Sequence, residues 1–207
     1  MPDAIATSPP RRRAWQRMLS GRRLDLLDPS PLDVEIEDVA HGLSRVPRWN
    51  GQTGGDWAFS VAQHSVLVER IAALATPDLG PKWRLAALLH DGPEYVIGDL
   101  ISPFKAVVGG DYKALEARLM VAIHRRAGLP ETLPQHAQRT IKRADGAAAG
   151  FEATQLAGFT AAEAAKYFPR PRFRRPIEIT LTPQPPAEAR DTFLDRYTRL
   201  RHACGFD

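Results

Sequence analysis

Along most of the chain, apolar positions return every three or four residues, the spacing of a helix with one buried face. Ile36, Val39, Ala40, Leu43 and Val46 keep that spacing, and Leu67, Val68, Ile71, Leu74 and Ala75 form a second stripe in a helix that opens near Ser60. Asp78-Leu79-Gly80-Pro81 breaks the pattern. Pro81, favoured in a first turn, opens a helix that runs to His90-Asp91 and stops at Gly92-Pro93. Glu94 to Lys105, with Gly98 and Pro103, reads mostly as turns. Asp111 caps a helix through Ala127 that Gly128 ends, and Pro134 to Gly158 predicts a long helix. Thr160 and Glu163 have capping-box spacing for a short helix to about Tyr167. Residues 177–181 alternate with period two, which predicts a short strand or extended segment. Phe193, Leu194, Tyr197 and Leu200 give the core stripe of a last helix over about 187–203. The expectation is an all-α bundle of six to seven helices without internal repeats.

Composition narrows the class. With 43% hydrophobic and 25% charged residues in 207, the chain has the make-up of one globular domain. No apolar run approaches the roughly 18 residues of a membrane helix, and the N-terminus lacks a signal-peptide core, so a cytoplasmic location is expected. A single cysteine, Cys204, excludes an intrachain disulfide and any multi-cysteine zinc site. The net charge of +4 is unevenly spread. Residues 1–24 carry +5 and residues 170–176 carry +4, which leaves an acidic body of −5. Residues 1–22 therefore read as a flexible basic segment ahead of one domain over 23–207. Such segments can touch phosphates, but their plain reading is solvated chain, so a nucleic-acid partner is the weaker expectation.

Three predicted helices each put a polar residue on an apolar face: His64 before Val68, His90 beside Ala86 and Ala87, and Asp145 beside Ile141, Ala144, Ala148 and Glu152. One such residue usually finds a hydrogen bond in the core. Three on successive helices, with Asp91 next to His90, point instead to a shared site, because buried imidazoles and carboxylates are costly unless paired or metal-bound. Two imidazoles and two carboxylates suit Mn, Fe, Co, Ni or Zn, with Mg a weaker fit.

The order His64, His90-Asp91, Asp145 resembles the H…HD…D signature of the HD-domain metal-dependent phosphohydrolases. The stretch Ala87 to Lys105, with Glu94, Gly98-Asp99 and Pro103-Phe-Lys105, resembles the bacterial 5′-deoxynucleotidase branch. So do Arg48-Trp49 ahead of His64 and Lys142-Arg-Ala-Asp145. Residues 35–158 carry the resemblance. Residues 20–47, the basic loop and the last helix depart from that branch, and the stretch from Gly21 through the His64 helix looks more like uncharacterised bacterial and phage HD proteins.

The resemblance implies that His64, His90, Asp91 and Asp145 hold one divalent ion, and that the substrate is a small nucleotide, most simply a deoxynucleoside 5′-monophosphate. Glu94 would act as general acid/base; by itself it reads as a surface carboxylate at a helix start. Asp99 would contact the attacking water or a sugar hydroxyl, or else be a turn residue. Arg48 would clamp phosphate, or be a solvated loop arginine. Trp49 would pack on sugar or base, or in the core. Lys105 is a further phosphate candidate, and His41 faces solvent or supports the site. His124-Arg-Arg126 reads as complementing a helix dipole. Rival readings are a nucleoside triphosphate phosphohydrolase or pyrophosphohydrolase, served by the extra arginines, and a nucleotide- or nucleic-acid-binding module with little turnover. A homodimer is compatible with the resemblance.

Overall fold

The computed structural model describes residues 14–100, 110–171, 173–174 and 177–206. Eight α-helices are found among them: α1 Ile36–Leu43, α2 Val61–Ala75, α3 Pro81–Leu88, α4 Glu94–Ile97, α5 Gly110–Arg126, α6 Gln135–Gln155, α7 Ala161–Tyr167 and α8 Pro186–Ala203. The architecture is the expected helical bundle with one small sheet. The four-residue α4 adds a helical turn where only turns were expected.

Local chemistry sets the boundaries. Ser60 accepts a hydrogen bond from the Gln63 backbone N–H, and the Gln63 side chain closes a capping box that fixes the start of α2. Thr160 and Glu163 do the same for α7. Gly128, at φ +76°, ends the turn after α5 in the left-handed region.

The two-stranded sheet is not where alternation suggested. Strand β1 (Trp15–Arg17) pairs antiparallel with β2 (Arg23–Asp25), with Gln16 opposite Leu24. This hairpin crosses the expected boundary at residues 22 and 23, and Met18 and Leu24 are buried in the core. Residues 177–181 form no strand. Among the described residues no strand pairs with them; instead the Gln155 side chain donates to Ile179 O and accepts from Leu181 N, which straps the segment to α6.

The core is continuous. Helix α2 is central, packed against α3, α6 and α8, with Val68, Ile71, Leu85, Leu88, Ala148 and Phe193 buried between them. Glu69 on α2 is also fully buried, and Arg84 from α3 and Arg196 from α8 neutralise it at 2.6 and 2.5 Å. Its carboxylate ties three helices and stands apart from the cluster described next. No helix among the described residues is long and apolar enough to cross a membrane.

Candidate metal centre

Helix α2 carries His64, the turn after α3 carries His90 and Asp91, and α6 carries Asp145. The structure brings these four together. Ligand atoms of His64, His90 and Asp145 lie within 4.8 Å of one another, and this group can hold a metal ion. Asp91 Oδ2 lies 3.4 Å from His64 Nε2 and 3.2 Å from His90 Nε2. Asp145 Oδ1 is 3.2 Å from His64 Nε2.

The partner chemistry decides the tautomers. His90 Nδ1 lies 2.9 Å from Ala87 O, a carbonyl that can only accept, so Nδ1 carries the proton. His64 Nδ1 lies 2.5 Å from Glu152 Oε1, and Glu152 is held down to about 2, so it too is an acceptor. In each neutral imidazole Nε2 is therefore the nitrogen that keeps the lone pair, and both Nε2 atoms face Asp91 Oδ2. Both Nε2 atoms are buried and make no aligned hydrogen bond within the protein, which suits an ion as their partner.

The electrostatics agree. Asp91, Glu94, Asp99 and Glu152 all act on Arg48, while Asp145 faces the two imidazoles. Burial and Arg48 push His64 down, yet Glu152 and Asp145 outweigh them and hold it up at about 10. Burial would raise Asp91 and Asp145, but the two imidazoles hold both carboxyls below the ordinary range. Each shift has the same cause: the cluster favours positive charge at its centre, as a proton or as a metal.

The surrounding residues were expected at the site to different degrees. Glu94, on the first turn of α4, is buried at 2% exposure, and its charge is felt by Arg48. Gly98, at φ +76°, turns the chain after α4 so that Asp99 accepts from Arg48 Nη1 at 2.7 Å. Arg48 also reaches Glu152 Oε2 through Nε at 3.4 Å, so its fork is engaged within the protein. Trp49 donates from Nε1 to Glu152 Oε2 at 2.9 Å, and its ring packs against Phe159 and Phe168 with centroids 5.8 and 6.0 Å away. The indole is half-buried, held by one hydrogen bond and two ring contacts. His41 lies elsewhere, in a cavity of about 390 Å³ with Asp38 and Tyr95. Lys105 falls outside the described residues.

The loop that presents Arg48 and Trp49 is strained. Trp49 and Asn50 both adopt left-handed backbone, at φ 56° and 51°, a conformation costing roughly 1–3 kcal/mol for such residues. Arg48 N donates to Phe59 O at 2.8 Å, which anchors this loop to the chain entering α2.

Glu152 is the residue that sequence reasoning left without a role. Fully buried, it holds His64, Trp49 and Arg48 at once. Its signal was available: it lies seven residues, about two helical turns, after Asp145 and so on the same face of α6.

The arginines at the two ends do not reach this cluster where they are described. Arg17 donates to Gly21 O, Arg22 pairs with Glu35, and Arg23 stacks over Trp15. Arg170 lies by a cavity behind α6, on the side away from Asp145.

No family model matches the chain. It is 57% identical over 188 residues to an uncharacterised protein of Rhodobacter capsulatus, an alignment covering 90% of this chain and 95% of that protein.

Proposed function

The chain belongs to the same family as this Rhodobacter capsulatus protein, and from its own site we propose that it is a divalent-metal-dependent phosphohydrolase of nucleotides, a 5′-nucleotidase that releases phosphate from (deoxy)nucleoside 5′-monophosphates. The observation that carries the reading is the pair of imidazole nitrogens, His64 Nε2 and His90 Nε2, that make no hydrogen bond within the protein and meet Asp91 and Asp145.

His64, His90, Asp91 and Asp145 would hold the ion, and a mixed nitrogen–oxygen set of this kind suits Mn, Co, Fe, Ni or Zn. Such an ion supplies Lewis acidity toward a phosphoryl oxygen and makes a neutral-pH nucleophile of water. Glu94 takes the proton of the attacking water and returns one to the departing sugar oxygen as the P–O bond breaks, giving nucleoside and phosphate. Arg48 exchanges Asp99 for the substrate phosphate, a planar fork meeting a tetrahedral anion. Asp99, once released, is placed to accept from a sugar hydroxyl. Glu152 fixes the His64 tautomer and the direction of its lone pair.

Triphosphate hydrolysis on the same site drew on the extra arginines of the two ends. Arg17, Arg22 and Arg23 are engaged locally, and Arg170 is on the far side of α6, so the described arginines favour the shorter substrate.

The test is phosphate release from a panel of nucleoside mono-, di- and triphosphates with Mn, Co, Zn, Mg or EDTA, alongside Asp91→Ala. Metal-dependent release from monophosphates, lost in the variant, is the expected result. Release from triphosphates alone would replace the substrate assignment, and full activity in Asp91→Ala would overturn the mechanism.

A further inference from the structure

Behind α6 lies a second cavity, of about 410 Å³, large enough for a small organic ligand. Its floor is apolar, with Ile71, Ala72 and Ala75 of α2 and Ala144 of α6. Around the rim stand four polar side chains: Thr76, Thr140, Arg143 and Arg170. Neither guanidinium makes an ion pair or hydrogen bond with a described residue, no carboxylate lines the cavity, and the other arginines discussed above all have partners.

The rim is built rather than draped. Pro169 and Phe168 press onto α6 where it has no side chains. A Cβ at Gly146 would meet Pro169 Cγ at 2.9 Å, and one at Gly150 would meet Phe168 Cβ at 3.1 Å. Pro169 and Pro171 fix φ on both sides of Arg170. Arg143 approaches from α6 itself, on the face turned away from Asp145 and Glu152.

We propose that this rear cavity, which lies outside the phosphohydrolase reading, is a second binding site for a phosphate monoester carrying a flat apolar ring, a molecule the size of a nucleoside monophosphate. Two guanidinium forks lining one cavity, neither paired with a described residue, match a phosphate dianion. The Ile, Ala and Pro surfaces match a ring face. The two threonine hydroxyls offer hydrogen bonds to a sugar or to ring edges.

The experiment is calorimetric titration of the full chain in EDTA with adenosine 5′-monophosphate, ribose 5-phosphate and adenosine. It is repeated on Arg143→Ser/Arg170→Ser and on Arg48→Ala. Both rim arginines are exposed, so the double variant keeps its circular dichroism and melting temperature. The expected result is saturable binding of adenosine 5′-monophosphate that weakens about tenfold or more in the double variant and persists in Arg48→Ala. Ribose 5-phosphate binds more weakly, which assigns a share to the ring, and adenosine does not bind. Undiminished binding in the double variant, equal binding of adenosine, or no binding of adenosine 5′-monophosphate at millimolar concentration would each overturn the proposal. An inactive enzyme in the phosphate-release assay leaves these outcomes unaffected, so the two readings fail separately.

Discussion

Glu152 accepts the Nδ1–H of His64 at 2.5 Å, and the same carboxylate holds Trp49 and Arg48 through its other oxygen. One fully buried side chain therefore orients a metal-binding imidazole and anchors the loop that presents the phosphate clamp. Glu152→Gln keeps an acceptor but removes the charge that fixes the imidazole. Metal affinity should fall about 10–100-fold, with the fold retained. Competition with a fluorescent chelator, alongside circular dichroism, measures both. Unchanged affinity would reduce Glu152 to a packing residue.

Arg48 sits between Asp99 and Glu152. Arg48→Ala removes the only arginine in contact with the cluster among the described residues and leaves two buried carboxylates facing each other. KM for a nucleoside monophosphate should rise and melting temperature should drop, the latter reflecting roughly 3–5 kcal/mol for breaking a buried pair from one side. Arg48→Lys should recover part of the stability and little of the KM, because an ammonium cannot make the bidentate contact. Equal rescue of both would argue against a planar clamp.

Stability of the metal-free protein should peak in mildly acidic solution. His64, raised from its ordinary 6.5 to about 10, contributes stability that is complete below 6.5 and is lost as pH climbs toward 10. Glu152, lowered from 4.5 to about 2, contributes stability that is present above 4.5 and is lost as pH falls toward 2. Melting temperature in EDTA should therefore be highest between about 4.5 and 6.5. A divalent ion needs the unprotonated Nε2 of His64, so the stabilisation by added metal should grow from pH 6 to pH 8, measured by thermal shift. An alkaline decline that saturating metal leaves untouched would count against these ligands.

Glycine at position 42 is a matter of clearance. A Cβ there would lie 2.7 Å from Tyr95 Cβ and 2.8 Å from Tyr95 O, so α1 and α4 meet backbone to backbone. Gly42→Ala should push α4 outward, at about 1–3 kcal/mol of stability, and carry Glu94 with it. Lower kcat with nearly unchanged metal affinity is the expected signature. Loss of both together would mean that the whole cleft deforms.

What the sequence could express was whatever depends on local periodicity. His64, His90 and Asp145 stood out because each interrupts an apolar helix face, and Asp91 because it adjoins His90. The capping-box spacing of Thr160 and Glu163 marked one helix start in advance, and the structure forms that box. Pairing between distant segments was not legible. Alternation at 177–181 has the form of a strand, but a strand needs a paired neighbour, and here the segment's hydrogen bonds go to the Gln155 side chain. The hairpin at 15–17 and 23–25 is too short to show a period and sits among arginines. Glu152 was visible as a position on the right face of α6, while its three partners come from elements separated from it by 88 residues or more.

The chain contains a single cysteine, so no covalent bridge can form within it. Positions 64, 90, 91 and 145 nonetheless meet at one point. An ion there would close two long loops at once, and so restrict the unfolded chain much as disulfides do. Unlike a disulfide, this cross-link is opened by a chelator and not by a reductant. The supply of one trace metal would then set the protein's resistance to unfolding as well as its chemistry.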